Sequence, residues 1–132
     1  MAKLFTREEA EALLPQIRPL LLEIQQLGRE IAEHESHLHI DQTKLMSNGH
    51  KPPVDAETLR SEIRALNDQV RTNVDKILDM GIIVKDIAEG LVDFPALHQG
   101  REVYLCWKLG EDRIHYWHEI EAGFAGRQPL DD

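Results

Sequence analysis

Ile77-Leu78-Asp79-Met80-Gly81-Ile82-Ile83-Val84-Lys85-Asp86 contains the point at which the chain changes its repeat. Before Gly81 the apolar residues recur every three or four positions, as one face of a helix requires. After it the period shortens toward two, and β-branched and aromatic residues gather, as strands require. Glycine ends a helix readily because it enters the left-handed conformation without a Cβ penalty. The chain therefore reads as helices up to Met80 and strands soon after Gly81.

Working back from Gly81, a seam runs through Ala56, Leu59, Ile63, Leu66, Val70, Asn73, Ile77 and Met80. A matching seam lies earlier, at Ala10, Leu13, Ile17, Leu20, Ile24, Leu27, Ile31 and Leu38, with His34 as its polar member. Alternating spacings of three and four are a heptad pattern. Thr6 and Glu9 have the spacing of a capping box, so the first helix should start there. Pro15 and Pro19 each remove an amide donor, which predicts a short helix over Thr6–Leu14 and a break near Pro15. Ser47 to Asp55, with Asn48-Gly49 and Pro52-Pro53, supplies turn chemistry, and Asp55 is a plausible cap for the second helix.

Helices are thus expected over Thr6–Lys44 and Ala56–Met80, lying antiparallel with Leu38 near Ile63, Ile31 near Val70 and Ile24 near Ile77. His34 and Asn73 are candidates for setting register. Leu14, Leu21, Leu22, Val74 and Leu78 widen the stripe away from the turn, where a further layer should pack. The tip keeps only a narrow seam, which predicts a partner there.

Working forward, four short strands are expected at Ile82–Ile87, Leu91–Phe94, Glu102–Leu109 and Arg113–Ile120, joined as an antiparallel meander because the connections are short. In the third, Val103, Leu105, Trp107 and Leu109 share one face and Tyr104, Cys106 and Lys108 the other. The tail Gly123–Leu130 is too rich in glycine to be read as regular structure. The fold class is α+β: a long, coiled-coil-like antiparallel two-helix hairpin followed by a small β-meander cap. With 132 residues it is expected to be one domain, 1–132, with the hairpin over 6–80 and the β-rich cap over 81–130.

Acidic residues outnumber basic ones 24 to 15, and the basic residues are not gathered: residues 1–55 hold six against nine acidic, and residues 81–132 five against ten. Nucleic acid and anionic membranes are therefore disfavoured as partners. No stretch approaches the roughly 20 apolar residues of a membrane span, and the N-terminus Met1–Ala10 is polar and acidic. The single cysteine, Cys106, excludes an internal disulfide and suits a reducing compartment. A cytoplasmic location is the resulting expectation.

His115-Tyr116-Trp117-His118-Glu119 is the most suggestive local cluster, but it lacks zincin spacing, and on a strand His115 and His118 point to opposite faces. His34, His37 and Asp41, with His39 and His50 nearby, could recruit a metal across a dimer, although a solvated hairpin tip is the commoner reading. Cys106 shows neither a base nor a depressed pKa in its sequence neighbourhood and reads as a buried structural thiol. The cap also concentrates charged and aromatic residues, including Lys85, Asp86, Asp93, Arg101, Glu102, Glu111, Trp117, His118 and Arg127. They would form either a polar binding surface or an internal salt-bridge network.

Several phrases in the cap carry a family resemblance: Val84-Lys85-Asp86, Gly90-Leu91-Val92-Asp93-Phe94-Pro95-Ala96, Gly100-Arg101-Glu102-Val103-Tyr104-Leu105-Cys106-Trp107, Gly110-Glu111, Trp117-His118 and Gly123-Phe124-Ala125-Gly126-Arg127. With the Phe5-Thr6 opening, they make the chain resemble an uncharacterised prokaryotic family known as domain of unknown function 2203. The resemblance implies no established activity, substrate or cofactor. It directs attention to Asp93, Arg101, Glu111, Trp117, His118 and Arg127 as candidate binding residues.

Two readings of function follow. The first is a non-enzymatic interaction or scaffold protein without a cofactor, which dimerises through the hairpin, presents the cap surface and has room for a further protein partner. The second is a small hydrolase using a divalent metal, or His and carboxylate groups alone, with His118, Asp93 and Glu119 as its residues.

Overall fold

The computed structural model describes residues 3–48 and 56–130, with side chains described except at 41–48. Helix α1 spans Arg7–Asn48 and α2 spans Ala56–Asp79. Ser47 and Asn48, where a turn was expected to begin, lie within α1; Gly49 to Asp55, with Pro52-Pro53 and the expected cap Asp55, lie outside the described residues. Both bonds of the capping box form: Thr6 N donates to Glu9 Oε1 at 2.8 Å, and Glu9 N donates to Thr6 Oγ1 at 3.0 Å. The Thr6 amide holds the Glu9 carboxyl below its ordinary value.

The break expected near Pro15 does not occur, and α1 is one helix with Pro15 and Pro19 inside it. Both prolines are exposed, whereas Leu14, Ile17 and Leu21 on the other side are buried. The carbonyls they leave without a donor are those of Glu11 and Pro15, residues that are half-buried and exposed rather than in the core. The missing bonds therefore do not leave buried polar groups.

Gly81 ends the helical half, with φ at 89° and its amide donating to Leu78 O at 2.9 Å. Five strands follow: β1 (Ile83–Asp86), β2 (Leu91–His98), β3 (Arg101–Lys108), β4 (Tyr116–His118) and β5 (Gln128–Pro129). They form one antiparallel sheet in the order β1-β2-β3-β4-β5. The meander is as expected, with three differences in extent.

β2 does not stop at Phe94 but continues through Pro95 to His98. The Pro95 carbonyl accepts from Phe5 N at 2.7 Å, on the edge away from β3. A strand residue's nitrogen points the same way as its carbonyl, so the missing Pro95 amide removes no bond from the β2–β3 ladder. The expected strand Arg113–Ile120 shrinks to Tyr116–His118, because α1 captures the segment before it. Ile114 N donates to Glu11 Oε2 at 3.0 Å, and Arg18 Nη2 donates to Asp112 O at 2.8 Å. The tail read as irregular forms a 3-10 turn, Phe124–Gly126, and then β5, which pairs Tyr116 with Pro129 and Trp117 with Gln128.

The inner face of the sheet, carrying Val92, Phe94, Val103, Leu105, Trp107 and Trp117, packs with Leu14, Ile17, Leu21, Ile24 and Ile77 of the helices in one apolar cluster. Leu22 and Leu78 do not join it; they are 55% and 47% exposed, so the stripe is narrower than its sequence suggests. Asn73 is buried and its amide donates to Leu20 O at 3.4 Å, while His34 Nε2 meets Glu62 Oε2 at 2.9 Å. Both polar seam residues thus reach across the hairpin. Among the described residues no helix is long and apolar enough to cross a membrane.

Candidate functional site

The site begins with a turn. Gln99 and Gly100 both have left-handed φ, 53° and 79°, the conformation of a two-residue hairpin turn whose twist matches the flanking strands. That turn pairs His98 with Arg101 and, five steps up the ladder, Asp93 with Cys106. On the other edge of β3, Tyr104 pairs with His118, which places His118 diagonally from Cys106. Because side chains alternate across a sheet, Asp93, Cys106 and His118 come to one face, the one opposite the helices.

All three are buried, at 0%, 0% and 1% exposure respectively. His118 Nε2 lies 3.0 Å from Asp93 Oδ1, and its Nδ1 lies 2.7 Å from the Glu119 carbonyl oxygen. A carbonyl can only accept, so Nδ1 carries hydrogen and donates. Nε2 is thereby directed at Asp93 with a proton held between them. One donor atom from each of the three residues, including Cys106 Sγ, lies within 4.8 Å of the others. Asp93 Oδ2 is buried and has no hydrogen-bond partner among the described residues.

Burial raises the Asp93 carboxyl above its ordinary value, against the pull of His118 and Lys85. Burial also pushes the Cys106 thiol up to about 12, with the Asp93 charge adding to it. A cysteine nucleophile needs an imidazole nitrogen facing its sulfur and a depressed pKa. Here both ring nitrogens of His118 are engaged elsewhere and the thiol is shifted the wrong way, so the arrangement is not that of a thiol nucleophile.

The tail packs against the Cys106 and Tyr116 part of this face. Arg127 Nη2 donates to Cys106 O at 3.2 Å and to Glu111 Oε1 and Oε2 at 2.7 and 2.9 Å. Its guanidinium lies 4.1 Å from the Tyr116 ring centroid and 4.7 Å from that of Phe124. Lys85 sits over the Tyr104 ring at 5.5 Å, and the Tyr104 ring meets His118 edge-on.

The six residues singled out in the sequence fall into three groups. Asp93 and His118 form the buried pair, with Glu111 and Arg127 bonded to each other beside it. Arg101 stands apart, in an exposed ion pair with Glu119. Trp117 faces the helices, within the core and against the His98 ring. The Glu119 carboxylate that was grouped with His118 and Asp93 is thus directed to Arg101, and the third side chain beside the pair is Cys106. Reading Gln99-Gly100 as a two-residue turn would have exposed Cys106, since it fixes Cys106 opposite Asp93.

The other histidines lie elsewhere. His115 bonds Asp112 at 2.9 Å and holds that carboxyl below its ordinary value. The His34, His37 and Asp41 grouping cannot be followed as a set, because the Asp41 side chain and His50 lie outside the described residues.

A family model described as an uncharacterised conserved protein, DUF2203, matches residues 3–130. The chain belongs to DUF2203. Neither the curated proteins nor the solved structures include a significant match to it. In this DUF2203 chain the matched span takes in the hairpin, the Asp93–Cys106–His118 cluster and the tail that packs beside it.

Proposed function

We propose that this DUF2203 chain is a non-enzymatic interaction module that pairs with a second copy of itself through the distal half of the hairpin, the cap serving as a rigid mount. The observation that carries this reading is the incomplete burial of the distal seam. Ile31, Leu38, Ile63, Leu66 and Val70 are only half-buried, and all but Val70 lie outside the apolar cluster and its flanks. Helices of this kind owe their stability to packing of an apolar face, and two such hairpins can complete a four-helix bundle.

An open groove of about 510 Å³ continues the same face, lined by Ile24, Gly28, Ile31, Ala32, Val70 and Ile87. Charge favours a second copy as the occupant. The α1 stretch here carries Glu30, Glu33 and Glu35 against Arg29, while in α2 Arg60, Arg64 and Arg71 offset Glu57, Glu62 and Asp68. A two-fold pairing that sets α1 of one copy beside the near-neutral α2 of the other avoids the like-charge contact of α1 against α1. The reducing compartment suggested by a lone thiol completes the reading as a cytoplasmic protein.

Light scattering on the purified chain is the test: the expected mass is twice 15.2 kDa at micromolar concentration. Leu66→Asp should return the single-chain mass while the tryptophan emission of the cap is unchanged, because Leu66 lies outside the core cluster. A wild-type monomer overturns the reading, and so does a dimer indifferent to Leu66→Asp. The hydrolase alternative has less support, since the cluster with mixed donors is buried and open to no substrate in this arrangement.

A further inference from the structure

The geometry points to a closed structural site for a zinc-class transition-metal ion, held by Asp93 from β2, Cys106 from β3 and His118 from β4. The site draws one ligand from each of three consecutive strands, so an ion there would cross-link the sheet at its most polar point.

Four features of the cluster support this. First, nitrogen, sulfur and oxygen donors converge within 4.8 Å, and thiolate with imidazole selects borderline metals such as zinc or cobalt over calcium and magnesium, which require sets of oxygens. Second, His118 has the arrangement of a metal-bound histidine: Nδ1–H is fixed on the Glu119 carbonyl, which leaves Nε2 as the coordinating atom. Third, Asp93 Oδ2 is fully buried with no hydrogen-bond partner among the described residues, and the Cys106 thiol beside this carboxylate is only a weak donor, a costly condition that a cation relieves. Fourth, the charges balance. A dication binding here displaces the proton of the Cys106 thiol and the proton held between His118 and Asp93. Thiolate and carboxylate then neutralise the metal, so the buried site stays neutral before and after.

The same features make the site structural. Asp93, Cys106 and His118 are all buried, and Arg127 is bonded to the Cys106 carbonyl beside them. Structural zinc has four protein ligands as a rule and catalytic zinc three with an open position; here three protein ligands leave the fourth position to a water, and their burial closes that position to substrate. The expected role is stabilisation of the cap, because an ion bound by the folded chain adds its binding free energy to folding.

The test uses the full chain without a histidine tag, stripped with a chelator. Cobalt or zinc is added either to the folded protein or during refolding from urea, so that a slow entry path cannot imitate weak binding. Stoichiometric cobalt with a near-ultraviolet sulfur-to-metal band is expected, along with displacement by zinc, release of both displaced protons and a raised Tm. Surface imidazoles alone can hold cobalt but cannot produce the sulfur band.

Cys106→Ser should abolish the band. Asp93→Asn and His118→Gln should weaken binding by at least about tenfold, the loss that even outer-shell changes cause. If these variants fail to fold, the wild-type band and proton release decide by themselves. Absence of the band in the wild type by both routes, or its survival in Cys106→Ser, overturns the proposal.

Discussion

Arg127 grips Glu111 through both carboxylate oxygens while its plane lies against Tyr116, with the two side chains only 13% and 21% exposed. Glu111 is itself tied down, accepting from Lys108 N at 2.7 Å. The pair therefore fastens the tail to the β3–β4 connection beside Cys106. Arg127→Ala should cost about 2–3 kcal/mol, since hydrogen bonds to charged groups contribute roughly 1.5–3 kcal/mol and the stacked ring contacts are lost as well. Lysine should recover only part of this, because an ammonium can copy the bonds that Nη2 alone makes but lacks the planar surface that stacks on Tyr116 and Phe124. Urea denaturation followed by tryptophan emission measures both variants. A cost near zero would mean that the tail is not fastened by this pair, and would return Arg127 to the external binding role its sequence setting suggested.

This packing has a kinetic consequence for Cys106. The thiolate is the reactive form, and in the metal-free chain this thiol is both buried and pushed up to about 12. Alkylation at neutral pH should therefore be slow in the folded protein and should proceed only through opening of the cap. Arg127→Ala should accelerate it more than the drop in global stability accounts for, because only the tail needs to lift. Mass spectrometry of alkylated protein over time distinguishes the two. Rapid labelling of the wild-type chain would contradict the burial.

Much of the fold was legible because its signals are local. The Thr6–Glu9 spacing, the two seams and the change of period at Gly81 each depend on residues a few positions apart. The cap was read less well, because its decisive features depend on distant partners. Pro95 reads as a strand end until Phe5 occupies the edge that makes its missing amide harmless. The glycine-rich tail reads as irregular until Arg127 finds Glu111. Cys106 reads as an isolated thiol until a left-handed Gln99, an uncommon conformation for a residue with a side chain, sets the hairpin register. Asp93 and His118 were visible as polar residues in a strand context, but not as neighbours.

The prolines of α1 offer a test of the continuous helix. A proline in a helix interior is about 3 kcal/mol less favourable than alanine, and Pro15 and Pro19 lie on the exposed side of an unbroken helix. Pro15→Ala and Pro19→Ala should therefore each stabilise the chain, by about 1–3 kcal/mol once the greater freedom of the unfolded chain is subtracted. Each new amide has a waiting carbonyl, on Glu11 and Pro15 respectively. Chemical denaturation gives the value. A loss of stability in either variant would mean that the helix relies on a distortion at that position.

Gly28 separates a bare hairpin from a paired one. A Cβ built there meets nothing within 4 Å, so in a single chain Gly28→Ala should stabilise α1 by about 1 kcal/mol, the difference in helix propensity. Gly28→Leu should also be tolerated in one chain, but it fills the groove shared with Ile24 and Val70. If a second copy packs there, Gly28→Leu raises the dissociation constant while the stability of the dissociated chain is kept. Sedimentation equilibrium and denaturation at several protein concentrations read the two effects separately. An unchanged dimer in Gly28→Leu would place any self-association away from this groove.

The distal hairpin should also respond to pH through His34. Its Nδ1 lies 2.7 Å from the Glu30 carbonyl and its Nε2 lies 2.9 Å from Glu62 Oε2. A carbonyl and an ionised carboxylate both accept, so satisfying them together requires a proton on each ring nitrogen. The Glu30 carbonyl first, opposed by partial burial and helped by Glu62 and the Glu33 charge, raises the His34 pKa above its ordinary 6.5. A base whose folded pKa is raised is bound more tightly by its proton in the folded state. Its contribution to stability is therefore fully present below about 6.5 and fades as pH climbs through the higher folded value. Wild-type Tm should fall over that window relative to His34→Gln, which cannot titrate. The comparison cancels every group the two proteins share. Parallel Tm curves for the two chains would show that the His34–Glu62 contact contributes nothing to hairpin stability, and a wild-type curve that rises across the window would reverse the sign argued here.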